Sequence, residues 1–111
     1  MIEIYRDVEN KVYRFQKSYT LDNEAFNISL EWNPISSSWF MNIKTTEDVL
    51  ILPSTRLVSS IFMLANKRSI SGLPKGDFKL IQTRTSANDL ILDYDNFGAE
   101  FKLYYYLESE V

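Results

Sequence analysis

Between Phe26 and Trp32 the chain alternates without a break: Phe26, Ile28, Leu30 and Trp32 are apolar, and Asn27, Ser29 and Glu31 are polar. A strand sends successive side chains to opposite faces, so this spacing gathers the apolar residues on one side of a sheet, whereas a helix would scatter them around its axis. The segment therefore reads as a half-buried strand. Asn33-Pro34 and the serines at 36–38 supply turn chemistry, because proline presets φ and Asn and Ser bond their own backbone. A second strand follows over Trp39–Ile43, with Trp39, Met41 and Ile43 on one face, and the pair is expected to form a hairpin.

The longest alternation lies near the C-terminus. Phe97, Ala99, Phe101, Leu103, Tyr105 and Leu107 share one face, and Glu100, Lys102, Tyr104 and Tyr106 share the other, which predicts a long strand in the middle of a sheet. Weaker strand patterns cover 2–6, 12–21, 49–52, 78–84 and 90–94, separated by turn signals at 7–10, Pro53-Ser54, 72–76 and 96–98. About seven short antiparallel strands with regular punctuation predict an all-β fold, a small β-sandwich or barrel. Helical spacing occurs only where Leu57, Ile61 and Leu64 interleave with Val58, Phe62 and Ala65, so the fold is expected to hold at most one short helix, near residues 56–67, with an irregular loop as the alternative. The expected core consists of Phe26, Ile28, Leu30, Trp32, Trp39, Met41, Ile43, Phe101, Leu103 and Tyr105.

A length of 111 residues suits one β domain over residues 1–111. The 12 basic residues are outnumbered by 15 acidic ones and form no stripe, so a nucleic-acid partner is not expected. The apolar runs 49–52 and 61–65 are far shorter than a membrane span, and the charged start, Met1 to Asp7, lacks the apolar core of a signal peptide. Neither a membrane association nor export by that route is expected.

The chain contains no histidine and no cysteine. Those absences remove disulfides, Ser-His-Asp and Cys-His nucleophiles and zinc sites built on Cys or His, and they are compatible with folding in a reducing cytoplasm. Asp77, Asp89, Asp93 and Asp95 remain as formal acid–base candidates and read as solvated turn and strand-end residues. A calcium loop beginning at Asp93 fails, since its fifth and twelfth positions are Phe97 and Tyr104. The three glycines, Gly72, Gly76 and Gly98, form no phosphate-binding pattern. No enzyme activity, catalytic residue, metal or cofactor is expected. The triplet Asn27-Ile28-Ser29 matches a glycosylation acceptor by chance, lying inside a strand.

The order of motifs resembles the plug family of contractile phage tail baseplates. The resemblance runs from about Phe26 to Leu107: a strand ending in Trp32-Asn33, a strand opening at Trp39 through Phe40-Met41-Asn42-Ile43, then Gly72-Leu73-Pro74-Lys75-Gly76-Asp77-Phe78, and Asn96-Phe97-Gly98 leading into Phe101-Lys102-Leu103-Tyr104-Tyr105. It implies a structural protein of the virion, made in the host bacterial cytoplasm and held in the central baseplate near the hub and the end of the tail tube. Partners would be those baseplate proteins or further copies of the chain, and no catalytic residues come with the family.

Two regions carry more apolar bulk than the core requires. Tyr104 and Tyr106 lie together opposite the core side of the last strand, and Ile61-Phe62-Met63-Leu64 is unusually large for a connection. Tyrosine is enriched where one end of a side chain is buried and the other wet, so Ile61, Phe62, Met63, Tyr104 and Tyr106 form the candidate protein interface. The competing function for such a chain is a small OB-like or lipocalin-like module binding an oligonucleotide or an apolar ligand.

Overall fold

The computed structural model describes residues 1–7, 9–83 and 90–111. Seven strands occur among them: β1 (Ile2–Ile4), β2 (Arg14–Leu21), β3 (Glu24–Asn33), β4 (Ser38–Thr45), β5 (Leu50–Arg56), β6 (Asp77–Gln82) and β7 (Phe101–Tyr106), followed by a short 3-10 turn, Glu108–Glu110. They form a four-stranded sheet in the order β2-β3-β4-β5 and a three-stranded sheet in the order β1-β7-β6. Every pairing between these strands is antiparallel. Of the two architectures expected, the sandwich is the one found, with no barrel closed by the described strands.

The expected β3–β4 hairpin forms, with Phe26 opposite Thr45 and Trp32 opposite Trp39. Its turn is set by Asn33, whose side-chain Oδ1 accepts from the amides of Ile35 at 2.9 Å and Ser36 at 3.2 Å. The β2–β3 hairpin closes through Asp22 and Asn23, both at positive φ (50° and 66°), the conformation that a two-residue turn needs to match the twist of its strands.

Alternate residues of both sheets meet in one core. Phe26, Ile28, Leu30, Trp39, Met41 and Ile43 from β3 and β4 pack with Phe101, Leu103 and Tyr105 from β7, all buried. Trp32 is only partly buried and packs on the edge of this cluster. Its ring lies 5.8 Å from Trp39 and 5.9 Å from Tyr94. Arg6, Ser38 and Asp77 are polar exceptions to an apolar interior among the described residues, and Arg6 is the largest. Its fully buried guanidinium donates to the carbonyls of Val12, Tyr94 and Phe97 and lies 4.7 Å from the Trp39 ring centroid. Burial lowers its pKa, and the nearby Tyr94 and Asp95 pull in the opposite direction.

Of the two alternatives for residues 56–67, the irregular loop is the one found: the amides of Leu57, Ser60 and Met63 donate to Trp39, Leu80 and Phe78 rather than to their own preceding turn, and Ser60 sits at φ 67°. Strand pairing outcompetes the helical spacing because β4 and β6 offer unpaired carbonyls to these donors. Two strand expectations are corrected. Residues 90–94 form no strand. Asp93 and Asn96 instead bond each other's backbone, with Asp93 Oδ1 accepting from Asp95 and Asn96 and Asn96 Oδ1 accepting from Asp93. The last strand begins at Phe101 and not at Phe97, because the carbonyl of Asn96 collects the amides of Ala99, Glu100 and Phe101 in a turn around Gly98 at φ 92°. As expected, β7 is the middle strand of its sheet. The expectations at Arg84 and Asp89 lie outside the described residues.

Candidate protein interface on the outer face of β7

Along β7, Phe101, Leu103 and Tyr105 point into the core, leaving Lys102, Tyr104 and Tyr106 on the outer face, partly exposed. Register brings neighbours to them. Tyr104 lies between Glu3 of β1 and Lys79 of β6, and Tyr106 stands opposite Asp77. Lys102 Nζ lies 4.0 Å from Glu3 Oε1.

The loop between β5 and β6 adds its aromatic residue to this face. Phe62 bridges to Lys79 of β6, and its ring meets Tyr106 edge-on with centroids 5.5 Å apart. Lys79 Nζ lies 4.9 Å from the Phe62 ring. The same loop is anchored from behind by Asp77, which is buried rather than solvated: its Oδ1 accepts from the amides of Leu64 and Phe78, each at 2.7 Å. Arg68 reinforces this anchor, with Nη2 3.8 Å from Asp77 Oδ2 and Nη1 donating to Pro74.

Of the five residues singled out from sequence, Tyr104, Tyr106 and Phe62 are therefore brought together. Ile61 is 51% exposed beside them in sequence. Met63 turns inward and is buried in the core, which removes its side chain from the surface. Lys102, already placed on this face by alternation, completes it with Glu3 and Lys79, which went unremarked in the sequence because only strand register places them next to Tyr104. The assembled surface combines aromatic area with a cation on either side and one carboxylate. That composition suits contact with another protein. Asp93 and Asp95 do not form an acid–base pair: Asp93 builds its own turn, and Asp95 pairs with Lys11 at 2.9 Å.

A family model described as cyanophage baseplate Pam3 plug gp18 matches residues 1–108 of the 111-residue chain. The chain belongs to this baseplate plug family. No curated protein matches it. Membership in the plug family makes the chain a viral structural protein of the tail baseplate and agrees with the all-β architecture. Among the described residues no helix is long and apolar enough to cross a membrane.

Proposed function

We propose that this chain is a non-catalytic packing component of the central baseplate of a contractile phage tail, acting as one β domain near the hub and the tail-tube end. Its contact with those proteins, or with further copies of itself around the tail axis, is made by the outer face of β7. The observation that carries this reading is the grouping of Tyr104, Tyr106 and Phe62 on a sheet face that the chain leaves partly open. Aromatic anchors of this kind commonly supply most of the binding energy of an interface. The absence of histidine and cysteine supports a role in packing rather than turnover, and the net charge of -3 gives no basis for nucleic-acid binding.

Hydroxyl-radical footprinting tests the reading. Tyr104 and Tyr106 should be labelled readily in the free chain and be protected in assembled baseplates. Equal labelling in the two states would reject this face as the contact.

A further inference from the structure

Two open sheets have four edges, and three of them are blocked. β1 is only 3 residues long. β6 is covered by its own chain, because the carbonyls of Phe78 and Leu80 accept from the amides of Met63 and Ser60. β5 contains Pro53, which has no amide hydrogen to offer, and its pairing to β4 is irregular between Met41 and Lys44. Short length, coverage, proline and irregularity are among the devices by which sheets avoid unwanted strand addition.

β2 has none of these. Its 8 residues contain no proline or glycine, and its register with β3 runs from Arg14↔Glu31 to Leu21↔Glu24 without a break. The amide of Trp32 donates to the carbonyl of Tyr13, which fixes the phase of the ladder. Antiparallel pairing alternates, so Phe15, Lys17 and Tyr19 bond to β3 while Arg14, Gln16, Ser18 and Thr20 turn their backbone groups to the open side. Among the described residues no strand pairs there.

The side chains along this edge specify what fits it. Tyr13, Phe15, Lys17 and Tyr19 fall on the inward side, in register with Trp32, Leu30, Ile28 and Phe26. They are incompletely covered: Tyr13 is 63% exposed, Phe15 and Tyr19 are half-buried, and Lys17 is exposed with Nζ 5.5 Å from the Tyr19 ring. Lys17 has no ion-pair partner among the described residues, and β2 itself carries Arg14 and Lys17 with no acidic residue. An inward-facing lysine repels a plain apolar strand and a second β2 alike, since the latter would bring like charges together. A carboxylate in the right place converts that repulsion into a selective pairing.

We infer that the open edge of β2 receives an extended strand from another protein, apolar where it covers Tyr13, Phe15 and Tyr19 and acidic where it meets Lys17. Main-chain bonds supply affinity in such strand addition, and the alternate side chains supply specificity. The inference is independent of the β7 reading, because the two surfaces belong to different sheets.

Hydrogen exchange at the amides of Gln16 and Ser18, measured on the free chain and on assembled baseplates, tests it. Both amides should exchange quickly in the free chain at every dilution and slow by roughly ten-fold or more in baseplates. Lys17→Glu should keep the free chain's circular-dichroism spectrum while reducing its incorporation, and Lys17→Gln should fall between. Fast exchange in baseplates would overturn the inference, as would protection in the free chain, whether constant (an edge already covered) or growing with concentration (pairing with a second copy). Normal incorporation of a well-folded Lys17→Glu variant would overturn the acidic partner.

Discussion

The hydroxyl of Tyr105, on the middle strand of the three-stranded sheet, donates to the carboxylate of Asp22 in the turn of the four-stranded sheet. The same hydroxyl accepts from the amide of Gly76 at 2.7 Å, and Asp22 accepts from the amide of Glu108 at 3.1 Å. One phenol thus ties together both sheets, the loop entering β6 and the C-terminal turn.

Tyr105→Phe removes both bonds and leaves the Gly76 amide buried without its acceptor. It should cost about 1–3 kcal/mol, read as a lower urea midpoint with an unchanged slope.

Burial, followed by the hydrogen bond to Asp22, raises the pKa of Tyr105. A tyrosine whose folded pKa lies above its unfolded one, about 10, binds its proton more tightly when folded. Its contribution is complete below the unfolded value and is lost as pH rises above it. The native protein should therefore lose stability more steeply above that pH than Tyr105→Phe does, as measured by urea titrations across the alkaline range.

Gly76 is required by close approach. A Cβ built there would lie 1.9 Å from the carbonyl oxygen of Tyr106 and 2.6 Å from the Tyr105 hydroxyl oxygen. The first of these atoms belongs to the strand backbone and cannot rotate away. Gly76→Ala should destabilise by about 1–3 kcal/mol through overpacking, and thermal melting would detect it.

Leu30 and Leu103 are each 0% exposed on the inner faces of opposite sheets. Replacing either with Ala should cost about 2–5 kcal/mol. A loss below about 0.5 kcal/mol would place the residue at the surface.

Much of this fold was legible because alternation directly reports which face of a strand is buried. Phe26 to Trp32 and Trp39 to Ile43 announce a hairpin, and Tyr104 and Tyr106 announce an outer face. Pairings between distant segments were not legible. Nothing local to Ile2–Ile4 indicates that it joins β7, and only that pairing puts Glu3 beside Tyr104. Spacing also left helix and loop open where backbone donors found partners on other strands. The helical rhythm of Leu57, Ile61 and Leu64 belongs to a loop laid along β6, and that path is what turns Met63 inward. Asp77 read as a solvated residue and nothing local singled out Arg6, yet both are buried because carbonyls and amides of irregular segments converge on them.

The most direct test of the baseplate account is the incorporation of a Tyr104→Ala, Tyr106→Ala double variant into phage particles. Tyr106 also touches Phe62, so the free variant should lose about 0.5–1.5 kcal/mol of stability and remain folded. If the two rings anchor the chain to the hub or to a neighbouring copy, incorporation should fall by about ten-fold or more, the consequence of losing a pair of interface hot spots. A folded double variant that assembles at the wild-type level would contradict the account and make the outer face of β7 a surface with no part in assembly.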